Sequence, residues 1–181
     1  MDGEAQVLSH EEMLTTRLAA ILHDIGRVHK REEHALLGRD IVHNWLKENQ
    51  IIFNSIKEPD RLLHLIERHS NKEDDDLDYC LQVLKDADIL DEIGVMSVFM
   101  ASNWIDRSNS YFFQMLSNRV EKVEISFCDN GFRLLNTETA KSILAEKRKF
   151  IELLDKQLKG ELYGTEMFGE VNIEKYFRDL V

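Results

Sequence analysis

The chain has 181 residues with 34 acidic and 23 basic side chains, a formal net charge of −11, one proline and eight glycines. So acidic a chain lacks the basic face that a phosphate backbone needs, which argues against a long nucleic-acid partner. A hydrophobic fraction of 43% is too high for a disordered chain, and turn residues are too sparse for a many-stranded barrel or sandwich, so a helical globule remains.

Ser9 and Glu12 have the spacing of a capping box and predict a helix start. Leu14, Leu18, Ile21, Leu22 and Ile25 then recur at helical spacing until Gly26 ends the pattern. A second helix is predicted from about Glu32 to Glu48, with Leu37, Ile41, Trp45 and Leu46 on one side. Pro59 precedes a third, in which Leu62, Leu63 and Ile66 lead to His69. The acidic run over 71–76 reads as a solvated loop. A fourth helix is predicted from near Leu77, past Gly94, toward Met100.

Between Tyr111 and Leu135, Val123, Ile125 and Phe127 alternate with polar residues, and Asp129-Asn130-Gly131 offers a turn. That segment is either a short hairpin or helix with a break, and the helical reading is preferred. Asn136-Thr137 is a natural cap for a long final helix carrying Ile143, Phe150, Ile151, Leu154 and Leu158. Cys80 and Cys128 lack metal-type spacing and read as thiols in a reducing compartment. No run of about 18 apolar residues predicts a membrane span. The first residues lack a signal-peptide pattern, so the expected location is cytoplasmic.

Three polar groups stand where apolar residues belong: His23-Asp24 at the end of the first helix, His69 on the face of Ile66, and Asp88 on the stripe of Leu77, Leu81, Leu84 and Val95. A buried carboxylate is costly unless paired or bound to metal. Imidazole and carboxylate together suit Mn, Fe, Co, Ni or Zn, and Mg where more oxygen ligands are present. Such an ion makes water nucleophilic near neutral pH and polarises a phosphoryl oxygen. No GxSxG elbow, P-loop or CxxC pair suggests other chemistry. His10, His43 and His64 read as ordinary hydrogen-bonded or exposed histidines.

Leu22-His23-Asp24-Ile25-Gly26-Arg27, then His69-Ser70, then Lys85-Asp86-Ala87-Asp88-Ile89-Leu90-Asp91-Glu92-Ile93-Gly94 resemble the HD superfamily of metal-dependent phosphohydrolases, and most nearly its small stand-alone bacterial members. Leu135-Asn136-Thr137-Glu138-Thr139-Ala140-Lys141, with Glu146-Lys147-Arg148 and Phe150, resembles the tail of that subgroup. The likeness covers residues 7–160. It implies an all-α HD-domain helical bundle with a metal site between helices. It also implies one HD domain over residues 1–181, in which the helix and tail from residue 137 pack on the core.

By the resemblance, His23, Asp24 and Asp88 are metal ligands, and Asp86 is the alternative to Asp88. His69 lies near the site and touches substrate or a second ion. His34 resembles the extra histidine of two-metal HD sites, or is an ordinary helix-start histidine. The family's first histidine falls before Met1 on this sequence, so the family's first helix is expected to be lacking, and either the chain is a truncated version or the site is built without that ligand. Arg27, Lys30 and Arg39 are candidate phosphate contacts, or solvated charges. Asp24 is a catalytic candidate, and Glu33 (or Glu32) is a candidate general acid or base.

The expected activity is hydrolysis of a nucleotide or other small phosphate ester or anhydride by metal-activated water. The expected cofactor is a divalent ion, Mn, Mg, Fe, Co, Ni or Zn. The alternatives are a non-catalytic HD-fold nucleotide-binding or regulatory protein with an incomplete metal site, and a plain helical interaction domain. No membrane partner is expected, and a homodimer stays open.

Overall fold

Ser9 starts the first helix as its spacing predicts. Its hydroxyl accepts from Glu12 N at 3.2 Å while Glu12 Oε2 accepts from Ser9 N at 2.9 Å, opening α1 (His10–Leu22). In this computed structural model residues 7–73 and 78–164 are described. Leu77, and Asp74–Asp76 of the acidic loop, lie outside them.

The described residues are helical with no strand. They divide into two compact units, one of residues up to Asp91 with Leu134–Lys141, the other of Glu92–Arg133 and residues from Ser142 on.

In the first unit, α1 stops at the residue before His23, and Ile25–Val28 forms one tight 3-10 turn. Glu33, in the left-handed region at φ 59°, then turns the chain into α2 (His34–Glu48). A short α3 (Gln50–Ser55), which the periodicity does not announce, precedes α4 (Pro59–Arg68) and α5 (Tyr79–Asp91). Ala19, Val42, Leu46, Leu62, Leu65, Ile66, Leu81 and Leu84 form the core.

Two apolar faces differ from the expected ones. α2 buries Ala35, Gly38, Val42 and Leu46, whereas Trp45 is 47% exposed. The inward face of α1 is Thr15, Thr16 and Ala19, whereas Leu14 and Ile21 are exposed. The reason for α2 is steric. A Cβ on Gly26 would stand 2.1 Å from the carbonyl oxygen of His34 and 2.8 Å from Gly38 N. The backbone of the turn therefore lies directly on α2, and only small residues of α2 can face it.

Arg61 ties three helix starts together. It donates to Glu12 Oε1 at 3.2 Å, to Glu58 Oε2 at 3.4 Å and to Asp78 Oδ1 at 2.9 Å. Asp78 also accepts from Cys80 N at 2.9 Å and so caps α5. Burial pushes the Asp78 carboxyl up, but Arg61 and the amide of Cys80 outweigh it and hold it below the usual range. A carboxyl depressed on folding stabilises above its unfolded value of about 3.9, and that stability fades as pH falls through the folded value. Asp78→Asn is therefore expected to cost about 1–2 kcal/mol at pH 7. The difference from wild type should shrink below about pH 4. Urea unfolding across that pH range checks both.

The last part of this unit is the start of α9 (Glu138–Tyr163). Thr137 Oγ1 accepts from Ala140 N at 3.2 Å, which confirms the expected cap. Asp86, buried on α5, accepts from the backbone N–H and side chain of both Asn136 and Thr137, at 2.7–2.9 Å.

In the second unit, the expected helix through Gly94 is broken. α5 ends at Asp91, and α6 (Val95–Ser102) starts after Gly94. Gly94 has φ 123°, which side chains rarely adopt, and Lys147 Nζ donates to the adjacent Ile93 carbonyl at 2.8 Å. The Tyr111–Leu135 segment is helical with a break, as preferred, but the break falls elsewhere. α7 (Phe112–Arg119) passes into one π-turn, Val120–Glu124, and then α8 (Ile125–Leu134). Asp129-Asn130-Gly131 is inside α8 and makes no turn. Buried Glu124 stabilises the widened turn by accepting from Ser97 Oγ at 2.6 Å and Arg119 Nε at 3.0 Å. Val98, Val120 and Ile151 form the core of this unit. No helix among the described residues is long and apolar enough to cross a membrane.

Candidate metal centre

Helix ends bring the histidines of the first unit together. His23 follows the last residue of α1, His69 follows the last residue of α4, and His34 opens α2. Each ring uses its Nδ1 on a carbonyl three residues back: His23 on Ala20 at 2.9 Å, His34 on Arg31 at 2.8 Å, His69 on Ile66 at 2.6 Å. The last carbonyls of a helix have no partner within it, so the ends of α1 and α4 supply these acceptors without further design. A carbonyl only accepts, so Nδ1 carries the proton, and in the neutral ring Nε2 is a lone pair. That is the arrangement of a metal-ligating histidine, whose second nitrogen is fixed by a backbone or carboxylate acceptor.

The Nε2 atoms converge on Asp24. Its Oδ1 lies 3.3 Å from His34 Nε2 and 3.6 Å from His69 Nε2, and those two nitrogens are 3.2 Å apart. Its Oδ2 lies 3.8 Å from His23 Nε2 and accepts from Arg27 Nε at 3.0 Å. Asp24 Oδ1 is buried without a hydrogen-bond partner. His69 is fully buried, and burial first of all pushes its imidazole down to about 4, so it is neutral at physiological pH. The buried Oδ1 of Asp24 thus faces the Nε2 atoms of His34 and His69 without a hydrogen-bond partner of its own. A cation within the set would give the buried oxygen the partner it lacks.

The distances suit one. Two ligand atoms, each about 2.0–2.2 Å from a common ion, stand about 2.8–3.6 Å apart at right or tetrahedral angles. His23, Asp24 and His69 offer ligand atoms within 4.8 Å of one another. The C-terminal ends of α1 and α4 both point their negative poles at the cluster, which favours positive charge there.

Asp88 stands at the edge of the cluster. It is only 10% exposed, with Oδ1 3.4 Å from His23 Nε2 and Oδ2 accepting from Lys72 Nζ. Burial pushes the Asp88 carboxyl up, but His23 and Lys72 outweigh it and hold it far below the usual range. The same contact with Asp88 raises His23 above its ordinary value. Asp86 is excluded as the alternative ligand by its own geometry, since both its oxygens are taken by Asn136 and Thr137.

A family model for the HD domain matches residues 3–93, just over half of the chain. The chain belongs to the HD-domain family. HD domains are typically metal-dependent phosphohydrolases, and the histidine–aspartate group gathered between helices here is of the kind that family uses. No curated protein matches the chain, and no solved structure does.

Within this HD domain, the residues singled out from the sequence separate into two groups. His23, Asp24, His34, His69 and Asp88 meet, and Arg27 joins them through Asp24. Lys30 and Glu33 do not. They pair with each other at 2.6 Å on the surface, with the Glu33 side chain 70% exposed. Lys30 holds the Glu33 carboxyl below its usual range, which suits neither a general acid nor a buried base. Arg39 is taken up by Asp40 at 2.7 Å and Glu67 at 3.0 Å. Lys72 is the residue that sequence reasoning missed. It stands three positions after His69 in a polar stretch, and no helical face or motif marks it.

Proposed function

We propose that this HD domain hydrolyses a small phosphorylated substrate, a nucleotide or another phosphate ester or anhydride, using a divalent ion held by His23, Asp24, His34, His69 and Asp88. The observation that carries the proposal is the buried, partnerless Oδ1 of Asp24 facing the Nε2 atoms of His34 and His69. With three imidazoles in the set, Mn, Fe, Co, Ni or Zn fits the donors better than Mg.

When bound, such an ion lowers the pKa of water and polarises a phosphoryl oxygen. The residues of the chain do the rest. Asp24 turns Oδ1 to the histidines and Oδ2 to Arg27, so one carboxylate orients both the ligand cluster and a cation for the substrate. Arg27 is well exposed at its outer side and can meet an anionic oxygen without leaving Asp24. His69, buried and neutral, keeps its lone pair available at physiological pH. The carbonyls of Ala20, Arg31 and Ile66 hold the three rings in place, so little reorganisation is needed. The two free, buried cysteines support a reducing, cytoplasmic setting.

The test mixes the purified chain with Mn, Co, Ni, Zn or Mg and a panel of nucleotides and generic phosphate esters. Turnover with at least one ion, reversed by a chelator, is expected. Failure of every ion and substrate sinks the proposal, and so does an unchanged rate in Asp24→Ala.

A further inference from the structure

A site for a phosphate anion needs surplus positive charge, and this chain carries a net charge of −11. Asp24 and Asp88 together cancel one divalent ion, and the histidines are neutral as ligands. A phosphate dianion then depends on nearby cations. Of those expected from the sequence, Lys30 is bound by Glu33, and Arg39 by Asp40 and Glu67. Arg27 remains, through Asp24.

Lys72 stands on the opposite carboxylate. Its Nζ donates to Asp88 Oδ2, while Oδ1 of the same group faces His23 Nε2. Its side chain is 18% exposed, so its charge is less screened than that of a surface lysine. An ammonium has three N–H donors, and Asp88 takes one of them. Arg27 on Asp24 and Lys72 on Asp88 therefore flank the histidines as two cations, each anchored on one carboxylate of the cluster.

We propose that Lys72 is a phosphate-binding residue, its ammonium bridging from Asp88 to an anionic oxygen of the substrate beside the histidine–aspartate cluster. The assignment rests on the phosphohydrolase reading for its choice of ligand, and its test reads phosphate binding rather than turnover. Lys72→Gln keeps a donor for Asp88 and removes the charge, and Lys72→Arg keeps the charge. Inorganic phosphate is titrated by calorimetry into the wild type and both variants, with and without Mn²⁺, and Mn²⁺ affinity is measured alongside.

Lys72→Gln should weaken phosphate binding by about tenfold or more, while Lys72→Arg keeps most of it and Mn²⁺ affinity moves less than about threefold. Equal phosphate affinity in Lys72→Gln and wild type overturns the assignment, as does a wild type that binds no phosphate. Lost Mn²⁺ affinity with unchanged phosphate binding also overturns it, leaving Lys72 as a support for Asp88. Phosphate bound through Lys72 by a chain that turns over no ester would sink the hydrolase reading and leave this one standing.

Discussion

Asp24→Asn is expected to melt at the same temperature as the wild type or higher in the presence of a chelator, and to lose metal binding and activity. The physical ground is Asp24 Oδ1, which is buried without a donor and faces the Nε2 of neutral His69. A buried acceptor left unsatisfied costs about 1–3 kcal/mol. The amide of the variant supplies a donor to the Nε2 of neutral His69 and removes one negative charge from the site. Against that stands the ion pair with Arg27, whose partners are each at least a third exposed, and such pairs contribute about 0–1 kcal/mol. The variant also keeps an oxygen for Arg27. The balance favours stability, by up to about 2 kcal/mol, or a few degrees in Tm for a chain of this size. Metal affinity should fall by about 100-fold or more, since an anionic ligand is lost outright. Thermal melts with chelator and Mn²⁺ calorimetry together decide it. A variant clearly less stable than wild type in chelator would mean that Asp24 is a structural residue, and the metal assignment would lose its main support.

Gly26→Ala should be the most damaging single methyl group in the chain. The new Cβ would meet the carbonyl oxygen of His34 at 2.1 Å and Gly38 N at 2.8 Å, both backbone atoms that no rotamer change can move. The turn after the His23-Asp24 pair would have to lift off the first turn of α2. Overpacking of this kind costs about 1–3 kcal/mol in an ordinary core, and more where backbone is struck. It also displaces His34 from His69, 3.2 Å away. Metal binding should therefore fall together with stability, unlike Asp24→Asn, where the two part. Denaturant unfolding and Mn²⁺ titration of the same sample check both. A variant with full stability would show that the turn and α2 are free to separate.

Much of this protein was legible before folding, because the signals were local. The start of α1 depends on Ser9 and Glu12, three residues apart, and the cap of α9 on Thr137 and Ala140. His23-Asp24 and the inward Asp88 stood out because helical spacing alone shows when a polar residue occupies an apolar face. The likeness to HD proteins rested on the same short stretches, and the family match bears it out.

Other features depend on partners far along the chain, where spacing carries no information. The inner face of α2 is set by Gly26 touching its backbone, so Ala35 and Gly38 are inside and Trp45 is not. Asp86 and Asp88 are two residues apart in one motif, yet Asn136 and Thr137 claim the first while His23 and Lys72 hold the second. Lys30 and Arg39 looked as apt for phosphate as any cation until their carboxylate partners were in view, and Lys72 had no mark in the sequence.

By itself, then, the sequence determined the helical class, the caps of α1 and α9 and the family, all of which follow from residues within a turn or two of one another. Only the tertiary structure decided which partners claim Asp86 and which cations stand beside the histidines. Those choices are made by contacts between separate helices, where a shift of an ångström decides between ligand, anchor and bystander.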